Sequence, residues 1–156
     1  MLHVASMSKR RFAVVAAALV FVVAAIPIPS THCPHWDVTV VDQSGRPVPG
    51  VTVRLSYTNY SAEDERHEIE KRADESGQVA FPKETLWASS LRRIFYSVLS
   101  ARAGVHASFG PFASVMAFGR GLEGEDVDPT RNILVFWQGR PSRMESKIVM
   151  KQVTFR

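Results

Sequence analysis

Between Asp37 and Phe81 the chain alternates valine-rich runs with tight turns, and no other feature constrains the fold as strongly. Val38–Val41 reads as a strand, and Asp42-Gln-Ser-Gly45 with Pro47, Pro49 and Gly50 reads as the turn that ends it. The prolines lack a ladder donor, so this passage belongs at a sheet edge or in a loop. Val51, Val53 and Leu55 then alternate with Thr52, Arg54 and Ser56. Period two with the apolar residues on one phase describes a half-buried strand. Asp74-Glu-Ser-Gly77 supplies a second turn, closed by a glycine suited to positive φ, and it sends Val79 and Phe81 inward. Short strands joined this closely imply a mainly β, antiparallel β-sandwich over residues 37–156.

Downstream, the charged run Glu63–Arg72 reads as a solvated loop entering an exposed strand. Leu86, Ser90, Leu91 and Ile94 sit at helical spacing, which predicts one short helix over 84–93. Residues 94–101 are apolar on both phases, as a central strand covered on both faces would be. Val105, Ala107 and Phe109 alternate with His106 and Ser108, predicting a strand with a solvent-facing histidine. Residues 113–118 fit a strand or a helix. Residues 110–131 form a long connection, 133–137 is the most strand-like run, and 147–155 closes the chain with another strand. The total is about seven to nine short strands.

The amino-terminal segment has a different character. Lys9, Arg10 and Arg11 precede an uninterrupted apolar run from Phe12 to Ile26, and no acidic residue occurs before Asp37. A basic flank followed by ~7–15 apolar residues is the build of a secretory signal. The same run falls just short of the ~20 residues that span a bilayer, so an uncleaved anchor is the competing reading. Residues 1–30 are therefore read as a signal peptide or membrane anchor, and 31–36, in a stretch holding Pro27, Pro29 and Pro34, as a linker. Cys33 does not fit a lipidated cysteine, because Ser30 and His32 stand where leucine and a small residue are usual.

The formal charge of +4 belongs largely to that segment. Without Lys9, Arg10 and Arg11, 16 basic residues face 15 acidic ones, and no basic patch interleaved with aromatics remains. Nucleic acid is thus not an expected partner. The single cysteine excludes an internal disulfide, and Cys33 is read as a linker thiol without a role.

Gly45, Pro47 and Gly50 between valine-rich strands, followed by Asp74, Gly77, Val79 and Phe81, resemble the carboxypeptidase regulatory-like domains of the transthyretin-like β-sandwich group. The resemblance covers residues 37–82. It implies an exported module for binding, spacing or assembly, in which these positions shape turns and fill a core and none is catalytic. Transthyretin-like hydrolases end in Tyr-Arg-Gly-Ser, whereas this chain ends Val153-Thr-Phe-Arg156. Intradiol dioxygenases resemble the same sandwich and hold iron with two tyrosines and two histidines one residue apart. His3, His32, His35, His67 and His106 contain no such pair.

A zinc site needs three or four ligands, and after export only His67 and His106, plus linker groups, remain. The acidic run Glu123-Gly-Glu-Asp-Val-Asp128 lacks the spacing of a calcium loop and reads as an acidic surface loop. Phe109, Phe112, Phe118 and Trp137 read as core. Sequence alone therefore assigns no catalytic, cofactor-binding or metal-ligating residue and no cofactor. It describes a non-enzymatic module, secreted, periplasmic or membrane-tethered, for recognition of an envelope protein or surface ligand. Its membrane contact would run through residues 12–28 if these are not cleaved. Strand edges and the loops 56–72 and 110–131 would present the contact surface, and loop 110–131, with Phe112, Met116 and Phe118 among acidic residues, is the first place expected for an interface. The alternative is a hydrolase or metal-dependent enzyme on the same scaffold, with a site assembled from residues 83–156.

Overall fold

The computed structural model describes residues 8–128, 130 and 133–152. In chain order the elements are α1 (Lys9–Ala25), β1 (Pro27–Cys33), β2 (His35–Val41), β3 (Thr52–Asn59), β4 (His67–Arg72), β5 (Gln78–Phe81) and β6 (Glu84–Ser89). There follow α2 (Ser90–Ala101), a 3-10 turn at Gly104–His106, β7 (Pro111–Gly119), β8 (Leu122–Glu125), β9 (Val127–Asp128), β10 (Ile133–Leu134), β11 (Arg143–Val149) and β12 (Lys151–Gln152). The chain is mainly β and sandwich-like.

One sheet has the order β11-β2-β5 and the other β12-β8-β7-β3-β4, with β1-β6 and β9-β10 as separate pairs. β11 runs parallel to β2, so the sandwich is not wholly antiparallel as expected. Alternation produces the core. Trp36, Val38 and Val40 of β2, Val79 and Phe81 of β5 and Ile148 of β11 meet Val53 and Leu55 of β3 and Ala113, Val115 and Ala117 of β7. Small alanines on β7 leave room for the fully buried Trp36, Phe81 and Trp137, each of which removes on the order of 200 Å² from water. Trp36 also donates its indole N–H to Ser146 Oγ at 2.7 Å, and that hydroxyl donates to the buried Asp126. Burial raises the Asp126 carboxyl above its ordinary value.

The turns at 42–46 and 74–78 are built alike. Asp42 Oδ1 accepts from the Ser44 and Arg46 amides at 2.8 and 2.9 Å, and Asp74 Oδ1 accepts from the Ser76 and Gln78 amides at 2.9 and 2.8 Å. Gly77 has φ +73°, and an added Cβ would lie 2.5 Å from the Val40 carbonyl oxygen, so the second turn requires glycine there.

Four expectations are corrected. The 31–36 linker is instead the end of β1 and the start of β2, and Cys33, Pro34 and Trp36 are buried. Residues 84–101 hold strand β6 then helix α2, rather than a helix then a strand. Ser89 caps α2 by accepting from the Arg92 amide at 3.2 Å, and the apolar residues 94, 95, 98 and 99 form a helical stripe. The strand at 105–109 is a 3-10 turn and its exit, with His106 exposed. The described residues 110–128 of the expected connection are no open loop, because β7 lies beside β3 and β8 beside β7. The acidic run falls in β8, Asp126 and β9, while 129 and 131 lie outside the described residues. Of the closing run 147–155, residues 153–156 lie outside the described residues.

α2 is inverted relative to an ordinary surface helix. Its polar side meets the body. Arg92 Nε donates to the Ala62 carbonyl at 2.6 Å, Ser100 Oγ to the Tyr60 carbonyl at 2.9 Å, and Arg93 to Ser30 Oγ at 2.8 Å. Ile94, Phe95, Val98 and Leu99 face outward. α1 packs beside it with none of its residues buried.

Candidate metal centre

At one end of the five-stranded sheet, three metal-capable side chains converge from three elements. β1 pairs with β6 so that Thr31 faces Thr85 and Cys33 faces Glu84, which leaves His32 as the extra residue of a β-bulge. A bulge turns its side chain out of the regular alternation, and His32 is carried inward rather than out to solvent.

Glu63 arrives by a tight turn after β3. The Ala62 and Glu63 amides both donate to the Asn59 carbonyl, at 2.7 and 2.9 Å, and this folds the chain back over the strand it left. The Asn59 amide in turn donates to Glu63 Oε1 at 2.9 Å. α2 holds the turn from outside through the Arg92–Ala62 and Ser100–Tyr60 hydrogen bonds. His67 opens β4 opposite Tyr57 of β3, and the two rings stack at 5.3 Å. Tyr57 also meets His32 edge-on at 4.8 Å.

His32 Nε2 lies 2.5 Å from Glu63 Oε1, and His67 Nε2 lies 3.2 Å from Glu63 Oε2. One ligand atom from each of His32, Glu63 and His67 lies within 4.8 Å of the other two. An ionised carboxylate only accepts, so both imidazoles present N–H to it. The side chains are 8% exposed for His32, 6% for Glu63 and 33% for His67. Two ligands are thus sealed in protein while the third borders solvent.

Burial works to raise the Glu63 carboxyl. The hydrogen bonds from His67, His32 and the Asn59 amide outweigh it and hold the group below its ordinary value. Burial raises the Tyr57 phenol, and the charges of Glu84, Cys33 and Glu63 add to the effect. Cys33, next to His32, is pushed up to about 12 by burial and by Glu84. Without metal it remains a thiol, with its sulfur against the Pro34 carbonyl, and it is not among the three converging side chains.

Sequence assigned no metal-ligating residue, whereas the structure brings His32, Glu63 and His67 together as a group that could hold a metal ion. His32 lies in β1 and Glu63 in a hydrogen-bonded turn rather than in a linker and a solvated run. Of the two histidines beyond the linker region, His67 and His106, only His67 joins them. His106 lies on the exposed 3-10 turn and is not among these three ligands. His35, the other histidine assigned to the linker, is in β2 and pairs with Asp37 at 3.1 Å. The signal in sequence that could have found the site is the spacing Glu63-x-x-x-His67 at the end of a strand. His32 carries no such signal, because a bulge is not visible in periodicity.

The expectation of a non-enzymatic recognition module is also corrected. A buried carboxylate held between two imidazoles, with one solvent-bordered edge, is a group that could hold a metal ion, which a pure recognition surface does not require. No protein-family model matches the chain, and no curated protein sequence does. Among solved structures it is similar to 3-chlorocatechol 1,2-dioxygenase from Rhodococcus opacus 1CP, with 14% identity and a TM-score of 0.44. That similarity covers 78% of this chain and 62% of the dioxygenase, and at this level it carries no argument about chemistry.

Proposed function

We propose that this chain is a metal-dependent enzyme of the hydrolytic class, with His32, Glu63 and His67 as ligands of one divalent cation. The observation that supports it is the convergence of three ligand atoms within 4.8 Å of one another, from β1, a turn and β4. Zinc takes imidazole nitrogen and carboxylate oxygen at ~2.0–2.2 Å, which places neighbouring ligand atoms of a tetrahedron ~3.3 Å apart. Small rotations of side chains already in mutual contact reach that spacing. Two histidines and one glutamate are a catalytic rather than a closed structural set, because they leave a position for water. When bound, such an ion lowers the pKa of that water toward neutrality. The half-exposed edge at His67 is where a substrate would enter.

The chain's own residues supply the rest. Without metal Glu63 gathers both imidazoles through hydrogen bonds that a cation would replace, and Tyr57 packs against both rings. The Arg92 and Ser100 bonds to the 60–62 carbonyls hold the turn that carries Glu63. The scaffold is read as transthyretin-like of the carboxypeptidase regulatory type, on its Gly45–Gly50 and Asp74–Phe81 turns. Residues 1–30 are read as a signal peptide or membrane anchor, which supports a location outside the cytoplasm.

Equilibrium dialysis of the metal-free full chain against zinc, with hydrolysis of nitrophenyl esters and phosphates measured in parallel, tests this reading. One tightly bound zinc per chain, lost with the hydrolysis in both His32→Ala and His67→Ala, is expected. No stoichiometric binding, or binding kept in both variants, would make the cluster a hydrogen-bonded clamp between strands and end the proposal.

A further inference from the structure

α2 and its surroundings present an apolar surface that the body does not use. Ile94, Phe95, Val98 and Leu99 point away from the protein, and Trp87 on the neighbouring β6 is 61% exposed. α1 lies against α2 and is apolar on every side from Phe12 onward. Ordinary surface helices turn such a stripe to the core. Here polar groups of α2 are bonded to the carbonyls of Tyr60 and Ala62 and to Ser30, so the helix cannot roll its stripe inward without breaking them.

Charge is segregated along the same boundary. Residues 1–36 and 85–122 contain none of the 15 acidic residues. α1 carries Lys9, Arg10 and Arg11, α2 carries Arg92 and Arg93, whose side chains also bond to the body, and Arg102 follows α2. An apolar stripe on helices that carry basic residues and no carboxylates suits an anionic lipid surface, with Glu84 at the end of β6 away from α2. A tryptophan at the edge matches the interfacial preference of that residue. No helix among the described residues is long and apolar enough to cross a membrane, so the matching mode is a helix lying in the headgroup plane.

We infer that α2, with Trp87 and α1, is a membrane-docking face that seats in the interface of an anionic bilayer. This goes beyond a tether through the amino-terminal run alone, because α2 belongs to the folded body. It also struts the turn that carries Glu63, so seating α2 fixes the candidate metal centre at a set distance from lipid. The inference needs no metal.

Trp36 and Trp137 are fully buried, so quenching by brominated lipid reports on Trp87. The experiment adds metal-free full chain to phosphatidylcholine vesicles with or without phosphatidylglycerol, brominated in the acyl chains. Strong quenching with the anionic vesicles is expected, at least tenfold weaker binding without phosphatidylglycerol, and no quenching in Trp87→Phe. The exposed triple change Phe95→Ser, Val98→Ser, Leu99→Ser should lower quenching at least fivefold while far-ultraviolet dichroism stays unchanged. Quenching equal in the triple variant would assign docking to α1 alone and overturn the inference. So would wild-type protein indifferent to vesicles, or a lipid-free dimer that shields Trp87.

Discussion

His32 Nε2 lies 2.5 Å from Glu63 Oε1 although 31 positions separate them in the chain. Neither residue is placed by a regular element. A β-bulge aims the histidine, and a turn held by α2 aims the glutamate. Both devices cost local regularity, and bulges concentrate beside functional sites.

Acid stability should depend on Glu63. Its folded carboxyl titrates below its unfolded value of ~4.3, so its contribution is complete above that pH and is lost as pH falls through the folded value. Glu63→Gln should destabilise the metal-free protein by about 3 kcal/mol at pH 7. The difference should shrink steadily below about pH 4. Urea unfolding at pH 7, 4 and 3 checks this, and a constant difference would contradict it.

Cys33 should be silent toward thiol reagents in the folded protein. It is buried with its pKa pushed up to about 12, so almost no thiolate exists at neutral pH. Colorimetric disulfide exchange at pH 8 should show no labelling until denaturant passes the unfolding midpoint, then one thiol per chain. Rapid labelling of native protein would place Cys33 at the surface.

The two Asp-Ser-Gly turns should respond differently to alanine. Gly45 at φ +82° has open space around an added Cβ, so Gly45→Ala carries only the left-handed backbone penalty of about 1–2 kcal/mol. At Gly77 the added Cβ meets the Val40 carbonyl at 2.5 Å and Val48 N at 3.3 Å. Gly77→Ala should therefore cost well over 3 kcal/mol or prevent folding. Equal thermal shifts in the two variants would contradict this reading of the second turn.

Much of the sandwich was legible because its signals are local. Val51, Val53 and Leu55 alternate and are buried, and Val79 and Phe81 follow their turn into the core as periodicity implies. The register of α2 was misread because Ile94–Ala101 is apolar on both phases of a strand and also forms one helical stripe. Burial could not arbitrate, since that stripe faces outward. The candidate centre was hidden for a related reason. Composition marks Glu63 and His67 as solvated charge and proline marks 31–36 as linker, whereas the contacts that bury His32 and Glu63 come from distant strands.

The most direct measurement is anomalous scattering at the zinc absorption edge from crystals of the full chain grown with zinc. The account predicts one strong peak bonded to His32, Glu63 and His67, with a water on the side open past His67. A cluster that keeps its direct histidine–carboxylate hydrogen bonds at saturating zinc, with no peak between them, would contradict it.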